Sequence, residues 1–279
     1  MKQLLFFILF LIGISSCNKP DVTTPPIENP PISSKLIKAV VGSISDNTKN
    51  IDSFFYDTQK RIIRFQYAIL GSAENVWNVY DFTYTANNLL PNSYNFTYIK
   101  SDVSGVYSYL TINELKFNAQ NKVIEDSTIS SNFPISSPMI YKYYKYSDKL
   151  VTTTTKYPNN SSYSLDSFFL DNDGNTIKKL SGTVDANNKF TLEGKIVYTF
   201  GNTISPYYNN TSGLAPSIIY GFPNFKHLQI SGVSTNYSVN GSPTIYNSTY
   251  KNITDASGLV TKIISNIDVF SSVSEFTYY

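Results

Sequence analysis

The chain has 279 residues, with 22 Lys and Arg against 20 Asp and Glu and a formal charge of +2. The basic residues are scattered one or two at a time, which excludes the concentrated positive patch of a nucleic-acid-binding protein. A single cysteine excludes a disulfide framework and a Cys-rich zinc site, and the composition (23 Tyr and 18 Phe beside one Trp) points to strands rather than helices.

The first segment opens with Lys2 and an apolar run, Leu4 to Ile14, interrupted only by Gly13. It is too short to span a bilayer, which takes about 20 apolar residues, and it fits the apolar region of a secretory signal. Ile14, Ser15, Ser16 and Cys17 follow, and these four residues resemble the lipobox of bacterial lipoproteins. That resemblance implies cleavage before Cys17, a diacylglycerol on its thiol and acylation of the new amine. Residues 1–16 are then a lipoprotein signal peptide and Cys17 is the lipidation site. The alternative is a thiol at the end of an uncleaved anchor helix. Asn18 rather than Asp after the cysteine implies, on the same resemblance, the outer membrane, with the protein at the cell surface or facing the periplasm. Residues 17–35 carry Pro20, Pro25, Pro26, Pro30 and Pro31. This stretch leans to polyproline II and reaches up to roughly 50 Å as a linker.

Residues 36–279 form the predicted domain. One pattern recurs: an apolar residue ends a strand, about five turn-forming residues follow, and an apolar residue starts the next strand. It reads YDTQKRI (56–62), FNAQNKV (117–123), LDNDGNTI (170–177), VDANNKF (184–190) and TDASGLV (254–260), with looser copies YTANNLL (84–90) and YSDKLV (146–151). Asp or Asn in second place bonds its own backbone ahead, and Gly or Asn near fifth place tolerates positive φ. The flanks alternate, as in YKYYKY (141–146), where Tyr141, Tyr143 and Lys145 face one way and Lys142, Tyr144 and Tyr146 the other. The copies are unevenly spaced, and the largest break lies between Phe190 and Thr254. There GNTISPYYNNTSGLAPSIIYGFPNFKHL (201–228), with Pro206, Pro216 and Pro223, reads as a crossing segment with one helical turn near 214–219, covering an end or face of the sheet as either a functional loop or a structural plug.

The turn resembles that of YD-type repeats, in which Tyr-Asp and a Gly turn link the strands of a hairpin array. With the lipobox, the linker and the terminal aromatic strand Phe276-Thr277-Tyr278-Tyr279, the chain resembles a group of Gram-negative surface lipoproteins that carry such hairpins. The match is loose: Tyr-Asp occurs only at 56–57, and Gly only in the copies at 170 and 254. The resemblance implies a lipid-anchored β-domain and brings no activity with it.

Catalytic signals are sparse. His227 is the only histidine, no G-x-S-x-G surrounds any serine, and its neighbours suggest a structural strand position. DNDGN (171–175) resembles the start of a calcium loop, but the twelfth position is Gly182 where the bidentate Glu belongs, so a β-turn is the better reading. The acids lie mostly in turns and no pair is singled out for glycoside hydrolysis. Trp77 and nearby Tyr80 are candidate stacking residues for a ligand, against a reading as sheet-face or core aromatics.

The expected fold is all-β: one antiparallel hairpin meander forming a long, twisted, curled sheet, with a barrel or a two-sheet sandwich as alternatives. The expected role is non-enzymatic, binding or structural, in the envelope or at the cell surface. The partners are a membrane reached through the lipid anchor and a glycan or protein ligand. No cofactor and no metal is expected. The competing function is a carboxylate-dependent glycan-processing enzyme, which requires two acids converging in a cleft.

Overall fold

The computed structural model describes residues 36–279 apart from 46–47, 72, 86–87, 89, 132–139, 159, 208–225, 238–241 and 269. Cys17, the signal and the Pro-rich linker lie outside the described residues. The strands are β1 (Ile37–Ser45), β2 (Thr48–Tyr56), β3 (Ile62–Leu70), β4 (Glu74–Thr83), β5 (Ser93–Asp102) and β6 (Gly105–Phe117). They continue with β7 (Val123–Ser131), β8 (Tyr141–Ser147), β9 (Leu150–Lys156), β10 (Tyr163–Leu170) and β11 (Thr176–Val184). The last five are β12 (Phe190–Ile204), β13 (His227–Asn236), β14 (Thr244–Thr254), β15 (Val260–Ile267) and β16 (Phe270–Tyr278). Each strand pairs antiparallel with the next in the chain, and β16 pairs back onto β1, closing a barrel of 16 strands. The meander is as the alternating sequence predicts, and of the predicted shapes it takes the barrel. Closure pairs the two edges that an open sheet would leave exposed to other chains.

The recurring turn has one geometry. In the copies at 57, 118, 171, 185 and 255 the Asp or Asn Oδ1 accepts the backbone N–H groups two and four residues ahead at 2.8–3.0 Å. The residue in fifth place then takes positive φ: Lys60 at 64°, Asn121 at 59°, Gly174 at 83°, Asn188 at 62° and Gly258 at 81°. This is a hairpin loop that closes through a left-handed residue into a bulge, and the register shifts beside the turns at 57, 118, 171 and 255. The looser copies also fall on connections, β4 to β5 and β8 to β9.

Because consecutive strands alternate in direction, every connection that leaves an even-numbered strand lies at one end of the barrel. All the turn copies but VDANNKF are of this kind. The chain enters at Leu36 and leaves at Tyr279 at this same end, where the Tyr279 N–H donates to the Leu36 carbonyl. We call it the entry end and the opposite one the far end.

The entry end is packed with apolar side chains. Ile37, Phe54, Phe65, Leu115, Tyr144 and Phe276 belong to one buried cluster that joins β1, β2, β3, β6, β8 and β16, so these side chains point inward. Burying side chains of this size is worth about 1.5–3 kcal/mol each. Three tyrosines latch neighbouring strands here, donating from Tyr84, Tyr146 and Tyr278 to the carbonyls of Ile62, Val123 and Val260, each the residue that restarts a strand after a turn. Burial pushes the phenol pKa of all three up to about 12.

The connection from β12 to β13 is shorter than the predicted crossing segment, because 201–204 extend β12 and 227–228 begin β13. Its described start turns into the interior. Ser205 is buried, and the Tyr207 ring lies 6.3 Å from Phe54 and 5.8 Å from Phe276, on strands far round the barrel from β12. The predicted helical turn at 214–219 lies outside the described residues.

Candidate functional site in the barrel interior

Inward positions change character along the barrel axis. Above the apolar floor comes a belt of ionisable groups. Asp126, on β7, is 3% exposed and accepts from the Tyr94 hydroxyl with both carboxylate oxygens at 3.0 Å, and Lys142 Nζ lies 4.0 Å away. Burial pushes the Asp126 carboxyl above its ordinary range, against the opposing pulls of Lys142 and Tyr94. Asn113 and Thr128 bond each other beside it at 2.8 Å. Across the same belt, Lys179 pairs with Asp166 at 3.4 Å. Asp52 is buried directly across from Tyr67 in the strand register.

Nearer the far end the inner wall is aromatic and charged. On β5, alternate residues Tyr94, Phe96, Tyr98, Lys100 and Asp102 share the inward face. Lys100 Nζ meets Glu74 of β4 at 2.8 Å and Asp102 at 3.3 Å. Tyr98 stacks on Tyr109 of β6 with centroids 5.0 Å apart and planes at 21°, and Tyr107 stands 6.2 Å from Tyr109. Tyr98 and Tyr109 are half-buried and Tyr107 is exposed.

These rings end a continuous inner track. From Phe54 the ring-to-ring steps are Phe65 at 5.0 Å, Tyr80 at 5.8 Å, Phe96 at 4.9 Å and Tyr109 at 6.0 Å, climbing from the floor to the far end across β2 to β6. Aromatic pairs at such separations add about 0.5–1.5 kcal/mol each beyond simple burial.

The two predicted stacking residues part company. Trp77 lies opposite Ala68 and Ile99 on the outer wall, half-buried among them. Tyr80, three positions on, faces inward into the aromatic track, and burial pushes its phenol up to about 12. They form no common platform.

His227 opens β13 and is held by the turn between β10 and β11. Its backbone N–H donates to Asn175 Oδ1 at 2.9 Å, and its Nδ1 meets Asn175 Nδ2 at 3.1 Å. The DNDGN segment is this turn. Asp171 spends both oxygens on the turn's own N–H groups and on Asn175, and Lys226 pairs with Asp173 at 3.1 Å. Burial opposes ionisation of Asp171, but the bonds from Asn175 and Asp173 outweigh it and hold the carboxyl below its ordinary range. Asp57, Asp185 and Asp255 likewise accept their turns' N–H groups through Oδ1. Among the described residues, no group of three His, Cys, Asp or Glu side chains is arranged to hold a metal ion.

The outer wall mixes charged and polar residues with exposed apolar side chains, among them Phe55, Val197, Val233 and Ile245. Arg64–Asp81, Lys116–Glu125 and Lys262–Glu275 are ion pairs between adjacent strands on outward positions. Outward Thr152 and Thr154 of β9, and Asn247, Thr249 and Lys251 of β14, continue it.

No protein-family model matches the chain, and no curated protein matches it. Among solved structures, a porin-like protein from Bacteroides vulgatus superposes with a TM-score of 0.52 at 10% identity, covering 88% of this chain and 99% of that one. The likeness is one of fold: a closed antiparallel barrel.

Proposed function

We propose that this protein is a lipid-anchored, non-enzymatic binding protein of the outer membrane whose barrel stands in water beside the bilayer. Cys17 carries the lipid, the Pro-rich stretch is the tether, and the ligand enters the barrel from the far end. The observation that carries this reading is the polarity of the wall. A barrel that spans a membrane shows lipid an apolar band about 25 Å tall and keeps its interior polar. Here the outer wall bears Arg64–Asp81, Lys116–Glu125 and Lys262–Glu275 among exposed apolar side chains such as Phe55, Val197 and Ile245, and the rings of Phe54, Phe65 and Phe276 are packed inside. These three cations stand among the first or last three residues of their strands, at the entry end, where one facing the bilayer interface costs about 0–1 kcal/mol against about 2–4 at mid-depth. The strands β8 and β9 have 7 residues each and β10 and β15 have 8, fewer than the roughly 9–11 that a spanning strand needs, while the other strands reach 9 to 15.

Leu36 and Tyr279 meet at the floor end, and a tether on Cys17 that joins the barrel there would leave the far end free for ligand. The turn acids are committed to hairpin turns, and Glu74 and Asp102, the acids that converge at the far end, share Lys100 between them, which favours binding over carboxylate-based glycan hydrolysis.

The test is to compare wild type with Cys17→Ala in a Gram-negative host. The readouts are metabolic palmitate labelling, membrane fractionation and proteolysis of intact cells. Labelling that depends on Cys17, with release of the folded Cys17→Ala protein into the soluble fraction, is the expected result. A Cys17→Ala protein that stays integrated in the membrane defeats the reading.

A further inference from the structure

The inner wall at the far end also indicates what kind of ligand it takes. We propose that the far end is a binding site for a neutral oligosaccharide. In this site the Tyr98–Tyr109 pair is the stacking platform, and the Lys100–Glu74–Asp102 cluster is the hydrogen-bonding rim. This inference rests on the reading that the barrel stands in water with its far end open to the surroundings.

Three features carry it. First, Tyr98 and Tyr109 stack on each other at 5.0 Å yet are only half-buried, unlike Phe54 and Phe65, each 1% exposed, at the floor of the same track. Ring surface is thus present where the packed core has ended. The C–H bonds on one face of a sugar ring form a weakly positive apolar patch, complementary to the negative face of an aromatic ring. Second, a sugar's hydroxyl groups need both donors and acceptors close to that ring. Lys100 supplies donors, and Glu74 and Asp102 supply acceptors, at 35%, 50% and 26% side-chain exposure, so solvent and ligand both reach them. Third, the cations of the inner wall are matched by carboxylates: Lys100 with Glu74 and Asp102, Lys179 with Asp166, Lys142 with Asp126. An anionic ligand would meet no excess positive charge, and a cationic one would compete with lysines already in place. A neutral, hydroxyl-rich chain suits rings and paired charges together.

The experiment titrates the full-length lipidated protein, in phosphatidylcholine vesicles, with maltohexaose, cellohexaose, mannohexaose, xylohexaose and chitohexaose by calorimetry. At least one is expected to bind with Kd on the order of 1 mM or tighter. Binding is expected to persist in about 0.5 M NaCl, since charge attraction does not drive it. Tyr98→Ala is expected to weaken it about tenfold or more, and Tyr98→Phe to retain it, which separates loss of the ring from loss of the fold. Trp77→Ala, on the outer wall, is expected to leave it unchanged. Several results overturn the proposal: none of the five sugars binds, binding survives Tyr98→Ala, binding depends on Trp77, or only a charged polymer such as heparin binds and salt abolishes it. Failure of the water-exposed barrel itself is read separately, by the fate of the Cys17→Ala protein.

Discussion

The two ends of this barrel are built from the same hairpins and do different things with them. At the entry end, the Asp/Asn turns, the tyrosine latches and the inserted Tyr207 close the interior over Phe54 and Phe276. At the far end the inward positions hold Lys100, Asp102 and the Tyr98–Tyr109 stack, half-buried, and the exposed Glu74, all reached by solvent. A meander with a two-strand period brings every second turn to the same end. Stability can therefore be concentrated at one rim while the other stays available for ligand.

The contrast is broken most directly by truncating one ring at each end. Phe65→Ala, removing a side chain that is 1% exposed, is expected to cost about 3–5 kcal/mol in denaturant unfolding. Tyr98→Ala is expected to cost about 1 kcal/mol. Equal losses would mean that the far end is packed like the floor. A finer test compares the same turn at both ends. Asp171→Ala removes the acceptor for two turn N–H groups and unseats Asn175, which holds His227, so the expected loss is about 2–3 kcal/mol. Asp185→Ala, in the far-end copy between β11 and β12, removes the turn bonds alone and is expected to cost about 1 kcal/mol.

The next effect is smaller and depends on pH. Because burial raises the Asp126 carboxyl, its stabilising contribution is fully present below the ordinary carboxylate range. It is lost as pH rises through the raised value. Asp126→Asn stays neutral throughout, so its unfolding midpoint is expected to exceed that of wild type at about pH 8 and to approach it at about pH 4. Asp171 has the opposite sign: its contribution is present above the ordinary range and fades as pH falls through its lowered value. The smallest effect belongs to the outer wall. A double-mutant cycle on Arg64 and Asp81, both well exposed, is expected to give less than about 1 kcal/mol and to shrink further in high salt.

Much of this was legible in the sequence. The turn copies at 56, 117, 170, 184 and 254 locate hairpins because an Asx residue in second place and a left-handed residue in fifth place are local chemistry. Even Lys60, neither Gly nor Asn, takes the left-handed conformation, because the loop geometry imposes it. Closure was not legible. Pairing of β1 with β16 joins residues at opposite ends of the chain, and no local pattern marks it. The inner wall was legible in part. SYNFTYIKSD places Tyr94, Phe96, Tyr98, Lys100 and Asp102 on one face by simple alternation, but which face turns inward depends on closure. The same alternation already separates Trp77 from Tyr80, which stand an odd number of residues apart on one strand.

The central claim is that the barrel stands beside the membrane, and Trp77 is the probe for it: the only tryptophan, on the outer wall of β4. The measurement is quenching of its fluorescence by brominated acyl chains in vesicles carrying the full-length lipidated protein. Emission that brominated lipid leaves unchanged is the expected result. Strong quenching by brominated lipid would put Trp77 against hydrocarbon, and would mean that the barrel spans the bilayer despite the charges on its wall.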